Sequence, residues 1–286
     1  MYFLRLFDPW KGKYCTCKPK YSLAPYTGCD HRCLYCYITS YIPQPFNCRA
    51  KSNFLDLLPH DLEKADKSIP ISIANSSDPY PTIEKELKLT RETLKILAEF
   101  EFKVLLVTKS DIFFRDIDIL GSNNFALTIT INTLDDSIAS KLEPSAPLPS
   151  KRILAVEKLI SKSMPVMVRV DPIIPGLNDD VDLLLKVLSD IGVKYITTST
   201  YKSRPDSLKR LIKAFPKLSS SLNDYQTSGE FVNRSRYLPL NLREELMRKV
   251  SAGAKKYGLL LNFCREGVSL PRSATSCDGQ HLFDEK

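Results

Sequence analysis

The sequence predicts an α/β protein whose core is an open, partial (β/α)6 barrel with N- and C-terminal extensions. Two observations carry this reading. Short β-rich runs alternate with helix-period segments from about Tyr21 to Thr200, and such alternation calls for parallel strands joined by crossover helices. Six core strands can be counted, fewer than the eight of a closed barrel, so the sheet is expected to stay open. A third observation points to chemistry. Each predicted strand ends in polar residues, and in parallel α/β architectures ligands gather at the carboxyl ends of the strands.

The first strand falls at Tyr21–Tyr26. "SIPISIA", Ser68–Ala74, is the second, followed by a helix over Ile83–Phe100 with Leu87, Leu94, Leu97 and Phe100 on its apolar stripe. "KVLLVT", Lys103–Thr108, is the third. "DIFFRDIDIL" after it reads as a short helix capped by Ser110 or Asp111. "FALTITI" from Phe125 is the fourth strand, and the helix from Ser150 sets Ile153, Val156 and Ile160 on one face. "PVMVRV" from Pro165 is the fifth. "NDDVDLLLKVLSDIG" carries an Asn/Asp cap at its start and Gly192 at its end, both helix signals. "VKYITTS" from Val193 is the sixth. Beyond it, Asn241–Tyr257 reads as a helix and Leu259–Phe263 as a strand, and the polar tail Glu266–Lys286 is expected to wrap the outside. The division is an extension at 1–20, a core at 21–200 and a covering extension at 201–286.

With 286 residues and 43% hydrophobic content, the chain has ample material for a buried core. No stretch approaches the roughly 20 apolar residues of a membrane span. "MYFLRLFDPWKGK" lacks the parts of a signal peptide. The expected compartment is the cytoplasm, where cysteines stay reduced and clustered spacing favours metal over disulfides. The net charge of +8 suits a polyanionic partner such as a nucleic acid. The lysines and arginines are dispersed, however, which a basic solvated surface explains equally.

"TGCDHRCLYCYITS", Thr27–Ser40, holds Cys29, Cys33 and Cys36. Three thiolates in one tight loop suit an iron–sulfur cluster; a cubane usually takes four cysteines, so three leave one iron open to a small molecule. A zinc reading needs a fourth ligand, His31 or Cys48. The later strands end in "NSSDPYPTIE" (Asn75–Glu84), Thr108–Lys109–Ser110, Thr128, Thr130 and Asn132, then Arg169 and Asp171, then Thr197–Thr200. Cys15, Cys17, Cys264 and Cys277 lie in the two terminal segments, the last near His281. If the chain ends meet, these four thiols make a second metal site, for zinc or an auxiliary Fe–S cluster; otherwise they are scattered thiols.

"GCDHRCLYCY" followed by this alternation resembles the radical S-adenosylmethionine (SAM) superfamily, over roughly Tyr21–Thr200 and with a TIM-like partial barrel. "SSDPYPTIE", "TKS", "LEPSAP" and "DPIIPGLND" resemble the group of spore photoproduct lyase and its photolyase-like relatives. The resemblance implies a [4Fe-4S] cluster on Cys29, Cys33 and Cys36 whose fourth iron is chelated by SAM. Reductive cleavage then yields a 5′-deoxyadenosyl radical, with the electron supplied by a reductant protein. It further implies that Ser77 meets the SAM amino group with Asp78 beside it, Lys109 the carboxylate and Thr130 the ribose. Tyr35 and Tyr37 flank the cluster, with Tyr37 toward the adenine. Asn132 and Arg169 complete the SAM-site candidates. Glu143 and Arg169 are read as an ion pair, either closing the site or purely structural.

One departure stands out. Spore photoproduct lyase draws on a cysteine hydrogen donor just upstream of its Ser-Asp-Pro stretch, and here that place is Asn75 or Ser76. Neither an amide nor a hydroxyl is a good hydrogen-atom donor, which argues against direct thymine-dimer reversal by that route. Cys48 is the alternative donor if its loop folds over the site; otherwise it is a small buried apolar residue. No catalytic residue can be assigned. The competing reading is a metal- and nucleic-acid-binding module without SAM chemistry. In the mixed case, an enzyme acting on a nucleic acid, Arg204, Lys209, Arg210 and Lys213 line a polyanion path, and a solvated helix face explains them equally.

Overall fold

The computed structural model describes residues 2–7, 12–73, 76–121 and 124–284. In chain order the strands are β1 (Arg5–Leu6), β2 (Tyr21–Leu23), β3 (Tyr26–Thr27), β4 (Arg49–Ala50), β5 (Ile71–Ile73), β6 (Val104–Thr108), β7 (Phe125–Thr130), β8 (Val166–Ile173), β9 (Tyr195–Thr200), β10 (Glu230–Val232), β11 (Ser235–Tyr237) and β12 (Leu260–Phe263). Eight of them form one sheet in the order β1-β2-β5-β6-β7-β8-β9-β12. From β2 to β12 every pairing is parallel, and β1 adds an antiparallel edge. The expected six strands are β2 and β5 to β9, and the sheet remains open between β1 and β12.

The helices are α1 (Phe54–Leu62), α2 (Glu84–Leu87), α3 (Leu89–Glu99), α4 (Ile117–Leu120), α5 (Asp136–Leu142), α6 (Pro149–Ser161), α7 (Asp182–Asp190), α8 (Pro205–Ala214), α9 (Ser219–Thr227) and α10 (Leu240–Lys256). The single helix expected over 83–100 is two. Lys88 takes a left-handed conformation, and the buried Glu84 carboxylate accepts from Thr90 N (2.8 Å) and Arg91 N (3.2 Å). Glu84 thus caps α3 from the preceding helix, and Leu87 is left exposed rather than on the buried stripe. The expected helix after Thr108 begins as a 3-10 turn, Ile112–Asp116, and Ser110 Oγ accepts from Ile112 N.

Strand periodicity separates the two faces of the sheet. Val104 and Leu106 on β6, Leu127 and Ile129 on β7, and Val166, Val168 and Val170 on β8 pack into the large core under the helices. Leu105, Ala126, Met167 and Tyr195 face the other way and form a second, small core with Ala274, Leu282 and Phe283. The tail therefore does not wrap the outside. It plugs the concave face of the sheet, because that face is apolar at the start of each strand and would otherwise be wet. Gly279 sits in this plug, where an added Cβ would lie 3.3 Å from Thr128 Oγ1 and 3.6 Å from Met167 Cε. Among the described residues no helix is long and apolar enough to cross a membrane.

Candidate functional site

Moving along the concave face by steps of two, the apolar floor gives way to polar positions. Leu105 leads to Lys109, Ala126 to Thr130, Met167 to Arg169 and Asp171, and Tyr195 to Ser199. Lys109, Thr130, Arg169, Asp171 and Ser199 line a cavity of about 1060 Å³ at the carboxyl ends of the strands. Cys29, Cys33 and Cys36 line the same cavity, as do Tyr35, Tyr37, Ser77 and Asp78.

The cysteine loop is fastened on three sides. Gly28 (φ +78°) admits it to the fold, since an added Cβ there would lie 2.6 Å from Asn47 O, and Cys29 N donates to Pro45 O (2.8 Å). The "LEPSAP" segment takes the second side. Leu34 N donates to Leu142 O (2.9 Å), Ser145 N to His31 O (3.1 Å), and the Tyr35 hydroxyl to the Glu143 carboxylate. Arg210 of α8 takes the third, donating to Leu34 O (3.1 Å) and Cys36 O (3.0 Å). Arg210 is thus a clamp on the loop rather than part of a polyanion path, while Lys209 and Lys213 are exposed. Burial, with Asp78 next, pushes the Cys29 thiol up to about 12, and burial raises Cys33 well above its usual range. Metal must therefore displace protons to bind here.

The donor set fits a cluster with an open iron. His31 and Cys48, the two residues that a zinc site would need as a fourth ligand, are otherwise engaged. His31 Nδ1 lies 3.5 Å from Asp78 Oδ2, and Cys48 packs against the large core without lining the cavity. Among the described residues no three His, Cys, Asp or Glu side chains surround one point closely enough to hold a single metal ion.

Lys109 shares the cavity with the three thiols and its charge acts on Cys33 and Cys36. Burial works against its ammonium, but the charges of Cys33 and Glu143 hold its pKa above the ordinary value. Ser77 is buried and donates to Tyr26 O (3.2 Å), which leaves its hydroxyl oxygen as an acceptor. Asp78 is occupied, accepting from Thr108 Oγ1 (2.6 Å), Lys109 N (2.8 Å) and Tyr80 N (3.0 Å). It locks the end of β6 to the loop after β5. Ser76 lines the cavity, whereas Asn75 lies outside the described residues. Asn132 does not line the cavity; its amide lies 3.3 Å from Glu143 Oε1.

The expected Glu143–Arg169 pair does not form. Glu143 is paired with Arg152 at 2.5 Å, both fully buried, and Arg152 also donates to Thr130 O (3.0 Å) and Pro147 O (2.7 Å). Arg169 turns along the strand to Asp171 (2.6 Å), with its other nitrogen 3.4 Å from Cys277 O. Nor does Asn178 cap a helix. It accepts from Ile174 N (2.7 Å) and donates to Asn132 O (2.7 Å), tying "DPIIPGLND" to the end of β7. Arg152 and the pair of Lys202 with Glu266 (2.5 Å) carry no site reading in the sequence, and Arg210 reads there only as part of a polyanion path. Only Arg210 carried a local signal, its i,i+4 spacing from Asp206 (2.9 Å).

The sequence pattern of the radical SAM superfamily matches residues 23–188, more than half of the chain. The chain belongs to the radical SAM superfamily. It is 31% identical over 173 residues to an uncharacterised protein of Methanocaldococcus jannaschii, covering 56% of this chain and 62% of that one. It is 24% identical over 225 residues to the radical SAM Nα-GlyT isomerase of Pseudomonas phage M6, covering 72% and 45%. The matches thus span less than two thirds of these relatives' own lengths. Spore photoproduct lyase, in complex with a dinucleoside spore photoproduct, shares the fold at a TM-score of 0.68 and 17% identity, over 90% of this chain and 81% of that one. SuiB of Streptococcus suis, bound to S-adenosylmethionine, does so at 0.56 and 14%, over 87% and 51%. The radical SAM match ends at residue 188, short of β9, β12 and the tail plug.

Proposed function

We propose that this protein is a radical SAM enzyme that holds a [4Fe-4S] cluster on Cys29, Cys33 and Cys36 and binds SAM in the adjoining cavity. The observation that carries the reading is that three thiols and the Lys109 ammonium line one cavity. When bound, cluster and SAM together supply a 5′-deoxyadenosyl radical able to abstract a hydrogen atom from a substrate. The chain's own residues bind and orient. Lys109 offers an ammonium to the SAM carboxylate, and Ser77 offers an oxygen to its amino group. Thr130 reaches the ribose, and Tyr37 forms a face for the adenine. Asp78 and Asn132 act from behind, Asp78 by fixing Lys109 and Asn132 through Glu143. Arg169 borders the far side. Residues 21–200 carry this chemistry, residues 201–286 cover it, and a cytoplasmic reductant protein donates the electron.

The substrate is a phosphate-bearing molecule, with a nucleic acid as the class. Arg5, Lys202, Arg204, Arg234 and Arg265 line the same cavity. Arg204 is 6% exposed, and among the described residues its Nε has no hydrogen-bond partner. A buried guanidinium with an unused donor is costly unless an acceptor arrives. The lyase structure with its dinucleoside supports the nucleic-acid class.

The test is anaerobic reconstitution, reduction and measurement of 5′-deoxyadenosine. Cleavage is expected, and Cys29→Ala, Cys33→Ala or Cys36→Ala should abolish both cluster and product. An intact cluster without cleavage would favour a metal- and nucleic-acid-binding module instead. An oligonucleotide should bind with steep salt dependence, and Arg204→Ala should weaken that binding while sparing SAM affinity.

A further inference from the structure

The four cysteines outside the cluster loop, Cys48 apart, converge from the two ends of the chain. Cys15 and Cys17 lie between β1 and β2, Cys264 directly follows β12, and Cys277 lies in the tail plug. Cys17 Sγ is 3.9 Å from Cys277 Sγ. Cys15 contacts Cys17, and Cys264 contacts Cys277. We propose that these four thiols form a tetrathiolate site for one divalent thiophilic ion, zinc in class, that bridges the two edges of the open sheet.

The spacing favours a single ion. Tetrahedral zinc with Zn–S near 2.3 Å sets neighbouring sulfurs about 3.8 Å apart, the separation of Cys17 from Cys277. A cubane gives each thiolate a different iron and holds them farther apart. The contacts run as a chain, Cys15 to Cys17 to Cys277 to Cys264, so the thiols do not yet enclose one point; the ion draws the ends of the chain together. Binding releases the thiol protons to solvent and changes no oxidation state. Four thiolates on a divalent ion leave a net charge of −2, and buried cations stand ready for it. Lys20 Nζ is 3.8 Å from Cys17 Sγ and is itself held by Asp278 at 2.6 Å. Arg169 contacts the Cys264 side chain and lies 3.4 Å from Cys277 O.

The position supplies the reason for the site. β1 and β12 are the two edges of the sheet. Cys15 and Cys17 sit beside the first, and Cys264 extends the second through its N–H to Thr198 O (2.9 Å). The stretch after Val268 is largely exposed until Ala274, so the tail needs an anchor before it enters the plug. An ion at the four thiols closes the gap that the parallel strands leave open and pins the plug to both edges.

The test counts metal in a variant with Cys29, Cys33 and Cys36 all replaced by alanine, which removes the other thiol site. About one zinc per chain without acid-labile sulfide is expected. Adding Cys17→Ser and Cys277→Ser should cut bound zinc at least tenfold, and cobalt substitution should give thiolate charge-transfer bands that vanish in that variant. If the serine variant does not fold, stripping zinc from the folded triple variant with a chelator must lower its Tm. Four results overturn the proposal: a folded triple variant free of metal, zinc retained after Cys17→Ser and Cys277→Ser, iron with labile sulfide, or a Cys17–Cys277 disulfide in freshly isolated protein. SAM cleavage is not read, so failure here leaves the radical reading untouched.

Discussion

Lys109 shows how one residue acquires a role from its surroundings. Its position after β6 turns it onto the concave face, and the charges of Cys33 and Glu143 keep it an ammonium. Lys109→Met is expected to weaken SAM binding about 10- to 100-fold, the range of one charge-assisted hydrogen bond, with cluster iron unchanged; equilibrium dialysis with SAM checks it. Glu143 was legible as a site residue but its partner was not. Neither Arg152 nor Arg169 stands at a helical i,i+3 or i,i+4 spacing from Glu143, and the choice is made where α6 sets Arg152 against Thr130 O. Removing one member of a fully buried pair leaves the other charge uncompensated. Glu143→Ala should therefore cost about 3–5 kcal/mol, read from chemical denaturation. It should also free the Tyr35 hydroxyl and loosen the cluster loop.

At the scale of elements, the cysteine loop depends on neighbours far away in sequence. Arg210→Ala removes the donors to Leu34 O and Cys36 O. The fold should persist while the cluster is lost several-fold faster to a chelator, followed by its visible absorbance. Another remote anchor is Asp61 on α1, which accepts from Tyr2 N (2.7 Å), Phe3 N (2.7 Å) and Leu4 N (2.8 Å) and so sets the edge strand β1. Burial pushes the Asp61 carboxyl up, but these backbone donors outweigh it and hold it below its ordinary 3.8. A folded pKa below the unfolded one stabilises at higher pH. The contribution is complete above pH 3.8 and is lost as pH falls through the lower folded value. Asp61→Asn should cost on the order of 2 kcal/mol at pH 7 and flatten the acid limb of a Tm-against-pH curve.

The whole molecule is a sheet with two differently used ends of one concave face. The floor is filled by Ala274, Leu282 and Phe283, and the mouth is left as the cavity. Leu282→Ala should cost about 2–5 kcal/mol, as for other buried leucines. The same variant should admit water toward Met167 and Tyr195, which thermal unfolding and hydrogen exchange of β8 and β9 would register. The net charge of +8 takes on meaning only here. Dispersed in the sequence, several of the cations are gathered by the fold around one cavity.

The sequence by itself determined the parallel architecture, the six core strands and the three-cysteine loop, because hydrophobic period and cysteine spacing are local signals. It also marked Ser77, Lys109 and Thr130, through motifs that resemble those of a known family and that fall at the ends of predicted strands. Only the tertiary structure decided that Arg152 pairs with Glu143, that Arg210 grips the loop, that the polar tail is a plug and that Cys17 meets Cys277. Those contacts join residues up to 260 positions apart. No periodicity spans such a distance, and a partner is chosen there by packing, not by pattern.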